Sequence, residues 1–156
     1  MARQLRPIVV LLASIAALTG TMCSSDSSTS PSSTSASAGL VVVTIRPNPV
    51  PFSGQPITDT PACAGFGNTW FYEQVLRDAG GVAVTFTTRI DSFDGRVVNN
   101  LTGLNIVVPA NGEVTLRSRW CSGNAVSHTA QSSFRGTDAT GNQVSTDAPV
   151  ARLMSP

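Results

Sequence analysis

The segment TWFYEQVLRDAGGVAVTFTTRI (Thr69–Ile90) admits two readings in its first half and one in its second. A helix over Thr69–Asp78 would align Phe71, Val75 and Leu76 and stop at Gly80-Gly81. A strand would put Trp70, Tyr72 and Leu76 on one face, with Gln74 as the fourth inward position. The second half alternates: Val82, Val84, Phe86 and Ile90 fall on one face, and Ala83, Thr85, Thr87 and Arg89 on the other. The strand reading is the one we adopt, and the link Asp-Ala-Gly-Gly then makes the two runs a hairpin.

Outward from this segment the same period recurs. LVVVTIR (Leu40–Arg46) is β-branched and ends at Pro47. Five prolines over Pro47–Pro61 confine that stretch to edge or irregular structure. Leu104, Ile106 and Val108 alternate before the turn Pro109–Gly112. In EVTLRSRW, Val114, Leu116 and Trp120 share one face, while Glu113, Thr115, Arg117 and Arg119 share the other. SHTAQSSFRG is a polar strand. TDATGNQ (Thr137–Gln143) is a turn, and Val144–Leu153 holds a final strand broken by Pro149. Seven or eight half-apolar strands at this spacing predict an all-β domain of two antiparallel sheets packed face to face.

Two stretches sharpen the expectation. FRGTDATGNQVS resembles the last hairpin of bacterial immunoglobulin-like domains, and VTIRPNPVPF resembles their first strand and kink. The resemblance implies an immunoglobulin-like antiparallel β-sandwich over residues 39–156. It speaks to fold and not to activity.

The N-terminal quarter is of another kind. MARQLRP gives a positive start, and Ile8–Leu18 is an apolar run of eleven residues, long enough for an export signal and too short to span a bilayer. Residues 1–22 read as a signal peptide. Of the fourteen residues Ser24–Ser37, eleven are Ser or Thr, with almost nothing to bury, so residues 23–38 read as a flexible linker. Cys23 stands at the junction. Short signal, Cys and Ser-rich tether together resemble a bacterial lipoprotein, in which the Cys becomes the lipid-bearing N-terminus. Gly20, Thr21 and Met22 precede it, where the family carries Leu and small residues. The resemblance implies cleavage before Cys23, lipid on its thiol and anchoring in the cell envelope. The resemblance also implies that Ser24, in place of an Asp after the Cys, favours passage to the outer membrane. Ordinary cleavage and secretion is the alternative.

With Cys23 lipidated, Cys63 and Cys121 remain, and an oxidising envelope permits them to pair. A bridge would close about 59 residues and contribute about 4 kcal/mol in the chain-entropy model. Cys63 lies in the loop TPACAGFGN, and by alternation Cys121 faces away from Trp120. The bridge would therefore staple a loop to a strand end. Free thiols or a two-Cys metal site are the other readings.

Composition excludes much chemistry. All ten basic residues are Arg, and from Gly39 onward eight Arg face eight Asp plus Glu. A neutral domain has no field for general nucleic-acid binding. One histidine, His128, removes any metal site needing two imidazoles. No G-x-S-x-G elbow is present, and Asp91, Asp94, Asp138 and Asp147 sit in turn-like contexts. DSFDG and TDATGN offer oxygen ligands without EF-hand spacing. Asn100-Leu101-Thr102 matches the glycosylation sequon but reads as loop. No catalytic residue, metal or cofactor is expected. The function expected is non-enzymatic: a lipid-anchored envelope protein displaying its domain for structural or adhesive contacts. Its partners would be the membrane, through the N-terminal lipid, and an envelope protein or polysaccharide. Contacts would use loops at one end, Pro47–Asn68 foremost, or an unpaired edge. A carbohydrate-binding module, with Trp70, Phe71, Tyr72 and Trp120 as a sugar platform, is the alternative.

Overall fold

The computed structural model describes residues 39–156. The signal peptide expected over residues 1–22, the linker over residues 23–38 and the lipid site at Cys23 lie outside the described residues.

Eight strands form two antiparallel sheets. They are β1 (Val41–Arg46), β2 (Asn68–Asp78), β3 (Val84–Phe93), β4 (Arg96–Val108), β5 (Glu113–Ser122), β6 (His128–Asp138), β7 (Gln143–Asp147) and β8 (Ala151–Leu153). One sheet runs β1-β2-β5 and the other β4-β3-β6-β7, with β8 also pairing to β6. The proline-rich stretch after β1 holds one turn of 3-10 helix, Pro61–Cys63, and a single parallel bridge from Val50 to Leu153. Pro149 separates β7 from β8, since its missing N–H cannot continue the ladder.

The ambiguous segment Thr69–Asp78 is strand, with Trp70, Tyr72, Gln74 and Leu76 buried on its inner face. The hairpin expected between it and the next run is not formed. β2 pairs only with β1 and β5, and β3 only with β4 and β6, so the chain crosses from one sheet to the other between them. The cause is that β2 and β3 each bury one face in the same interior. The crossing turn is held by Asp78, whose carboxylate accepts the N–H groups of Gly80 (3.1 Å) and Asn111 (2.7 Å), and by Gly81 at φ +75°.

A second expectation is also corrected. Ile90 does not share a face with Val84 and Phe86. The ladders of β3 with both β4 and β6 slip between Phe86 and Thr88. This bulge reverses the alternation, as one extra residue must. Beyond it Arg89, Asp91 and Phe93 point inward, opposite Phe134, Ser132 and Ala130 of β6, and Ile90 points outward. Gly136 faces the bulge. A Cβ there would collide with the Thr85 carbonyl and lie 2.6 Å from Phe86 Cα, so only glycine lets β6 approach β3 this closely.

The interior is therefore layered. Val41, Val43, Leu76, Val84, Phe86, Val108, Phe134, Val144 and Ala148 form one apolar cluster. Val50, Trp70, Tyr72, Ala130, Ala151 and Leu153 form another. A polar layer lies between them, drawn from β2, β3, β5 and β6: Gln74, Ser118, Ser132, and the pair Arg89 and Asp91.

Gly136→Ala forces backbone apart at the bulge and is expected to cost about 3 kcal/mol in urea unfolding. Gly67→Ala, where a Cβ meets nothing within 4 Å, is expected to change stability by less than about 0.5 kcal/mol.

Candidate functional site

The polar layer is a connected hydrogen-bond network. The Gln74 amide Nε2 donates to Ser118 Oγ (2.8 Å) and Ser132 Oγ (3.0 Å). The Ser132 hydroxyl donates to Asp91 Oδ1 (2.6 Å), and Arg89 Nε donates to the same oxygen (2.7 Å). Arg89 also reaches Ser118 Oγ at 3.4 Å, and its guanidinium lies 5.8 Å from the centre of the Phe134 ring. Both members of the pair are largely buried, the Arg89 side chain 15% exposed and that of Asp91 5%. Burying an ion pair is costly unless its remaining bonding capacity is filled, and the serines supply that. Gln74 Oε1 is the one buried side-chain polar atom without a partner among the described residues.

One flank of this layer opens to solvent. β4 ends one sheet and β5 ends the other. Between them lies a cleft of about 380 Å³. Arg89, Asp91, Phe93, Trp120, Arg119 and Asn99 line it, and the loop Thr60–Phe66 closes one end. That loop is fastened by the bridge Cys63–Cys121 (Cα–Cα 5.6 Å). The staple between a loop and a strand end is thus formed as the sequence implied. Trp120 is half-buried, donates its Nε1–H to the Tyr72 hydroxyl (3.0 Å) and packs on Phe93 with ring centres 5.2 Å apart. Burial raises the Tyr72 phenol above its ordinary range, although Trp120 and Arg89 act against it.

The remaining residues singled out from sequence go elsewhere. Trp70 and Tyr72 are buried, and Phe71 lies on the outer face opposite Arg119, so the four aromatic residues do not make one sugar platform. Arg117, Arg119 and Glu113 share that outer face as expected. Arg119 pairs there with Asp59 (2.8 Å), both exposed, and holds the Asp59 carboxyl below its ordinary range. Of the stretch Pro47–Asn68, Val50 and Ile57 are buried, Thr60–Phe66 borders the cleft and Phe66 is exposed.

His128 is buried beside the far end of β3. Its Nδ1 is 2.7 Å from Asp94 Oδ2, and its ring packs against Trp70 and Phe93. Burial alone would raise the Asp94 carboxyl, but the Thr129 N–H (2.8 Å) and the His128 ring outweigh it and hold the group low. Asp138, in the turn Thr137–Gln143, accepts five donors: the Thr140 hydroxyl and N–H, the Asn142 N–H and side-chain amide, and the Gly39 N–H. The Thr140 hydroxyl, then the Gly39 N–H, hold this carboxyl far below the ordinary range. Both turns that offered oxygen ligands therefore direct a carboxylate at protein donors. Sequence reasoning missed these roles and the Arg89–Asp91 pair. Their signal was weak: Phe86 and Phe93 are both inward yet of opposite parity, which requires a bulge between them.

No protein-family model matches the chain, and no curated protein matches it in sequence. Solved structures do match. A crystal structure described as an ApaA protein of Bordetella pertussis aligns with TM-score 0.55 at 14% identity, covering 76% of this chain and 96% of its own. An X-ray structure of a structural-genomics target aligns with TM-score 0.54 at 14% identity, covering 76% and 88%. At that identity the likeness concerns fold alone, and together with the two sheets above it defines the class: an immunoglobulin-like β-sandwich domain.

The depressed Asp138 carboxyl gives a pH dependence. Its unfolded value, near 3.8, lies above its folded value, so the unfolded chain binds the proton first. The stabilisation is complete above about pH 5 and is lost as pH falls below about 4. Asp138→Asn is expected to lower the urea midpoint at pH 7, and the difference from the parent protein should narrow by pH 3. In the polar layer, Gln74→Met keeps the volume and removes the unpartnered Oε1, but it also takes the amide donor from Ser118 and Ser132. A net loss of about 2 kcal/mol is expected in the same assay.

Proposed function

We propose that this chain is a non-enzymatic, lipid-anchored cell-envelope protein that displays an immunoglobulin-like sandwich for structural or adhesive contacts. The observation that carries the reading is the polarity of the domain. The chain enters at Gly39, whose N–H is bonded to Asp138, beside the row where Val41 faces Asp78. The stapled loop and the cleft lie beside the row where Trp70 faces Trp120. Eight residues of β2 separate the two rows, about 25 Å along the strand. A tether on Cys23 would attach at one end and leave the loop-rich end for a partner.

The chemistry of the titratable groups supports the non-enzymatic part. His128 is clasped by Asp94 and enclosed by rings, while Asp94 and Asp138 are each bonded within the scaffold. A general acid or base needs a free hydrogen-bonding site turned toward a substrate, and these groups are engaged in holding strands and turns together. The neutral domain likewise supports partners other than nucleic acid. An envelope protein or polysaccharide is the partner proposed, at the outer membrane, where Ser24 after Cys23 would direct it.

Intact-mass measurement of the mature protein is expected to show an N-terminal Cys23 carrying lipid. Cys23→Ser is expected to move the protein from the membrane fraction to the soluble fraction. An unmodified N-terminus downstream of Cys23 overturns the anchor. Turnover of a hydrolase substrate that disappears in His128→Ala or Asp91→Ala overturns the non-enzymatic reading.

A further inference from the structure

We propose that the cleft between β4 and β5 is a binding site for a neutral sugar unit of a saccharide chain. The inference rests on the reading of the domain as displayed for contact and names the ligand class of one site on it.

Charge excludes the other small-ligand classes first. The two cations of the cleft, Arg89 and Arg119, are each bonded to a carboxylate, Asp91 and Asp59. The site is formally neutral and has no field to hold a phosphate, a sulfate or a cation. What it offers instead is a donor, an acceptor and a side-chain amide together: Arg89, Asp91 and Asn99 all line the same 380 Å³. A hydroxyl both donates and accepts, so vicinal hydroxyls match such a mixed set, whereas an ion matches only half of it. Trp120, Phe93 and Phe66 supply apolar wall for the C–H faces of a pyranose. The volume lies in the range of small-ligand sites.

The floor is also rigid before any ligand arrives. Asp91 is held by Ser132 and Arg89, and Ser132 and Ser118 are held by Gln74. Groups fixed by their own hydrogen bonds lose little freedom on binding, which is what weak polar ligands require. The bridge Cys63–Cys121 fixes the loop at the cleft end in the same way. This is not the aromatic platform of the alternative sequence reading, since Trp70 and Tyr72 take no part in it.

The test uses the full-length protein in detergent. The probes are glucose, galactose, mannose, N-acetylglucosamine, cellobiose and chitobiose, each to about 10 mM, read by saturation-transfer NMR and by tryptophan fluorescence. At least one is expected to bind with a Kd of about 1 mM or tighter and to change the emission, with no loss of affinity at high salt. Trp120→Ala is expected to weaken it at least about tenfold. Because that variant removes a packed ring, Asn99→Ala, exposed on the edge strand, provides a second reading and is expected to weaken binding about fivefold. Arg152→Ala, outside the cleft, is expected to bind as the parent does. Absence of binding by all six sugars overturns the proposal. So does binding unchanged in both Asn99→Ala and Trp120→Ala. Either result leaves membrane attachment through Cys23, which is measured separately, standing.

Discussion

The bulge in β3 between Phe86 and Thr88 is the constraint on which the arrangement depends. A strand that alternated without interruption would send Arg89 and Asp91 to solvent and Ile90 into the core. The bulge reverses the phase, so an ion pair enters the sandwich where an apolar residue would otherwise lie. Gly136 makes this possible from the other side, since any side chain there meets the β3 backbone. β3 pairs on both edges, so the change is passed to β4 and β6 at once.

The pair has consequences for packing. A buried ion pair contributes little net stability, and its desolvation must be offset by further hydrogen bonds. Neighbouring strands supply them at the same level: Ser132 from β6 donates to Asp91, Ser118 from β5 accepts from Arg89, and Gln74 from β2 donates to both serines. The result is a polar layer that divides the apolar interior into two clusters. It also leaves a flank between two edge strands that apolar side chains do not fill. The bridge Cys63–Cys121 lies at that flank and ties down the loop bordering it. The small core thus has a covalent support beside the open flank.

Much of the fold was legible because the strand period is short and β2 and β5 keep it. Gln74 as an inward residue, Trp120 facing the interior and Cys121 facing out all follow from alternation alone. Alternation fails where its premise fails. In β3, Ile90 kept the apparent phase of Val84 and Phe86, so the bulge was hidden by an apolar residue that points outward. The crossing between β2 and β3 was hidden because Gly80-Gly81 suits a hairpin as well as a passage between sheets. The clasp of His128 by Asp94 spans 34 residues, and no local pattern announces a contact of that range. Asp138 was read as an ordinary turn residue. Its tie to Gly39 spans 99 residues, again beyond the reach of a local pattern.

Everything said of the cleft and of the two apolar clusters follows from Arg89 and Asp91 being inward and paired. A double-mutant cycle with Arg89→Met and Asp91→Leu, followed by urea unfolding, measures that pairing directly. The structure predicts a coupling above about 1.5 kcal/mol, with each single variant leaving an unmatched charge in the interior and the double variant recovering much of the loss. A coupling below about 0.5 kcal/mol, with both single variants near the parent in stability, is the behaviour of an exposed pair and would contradict the inward phase of β3.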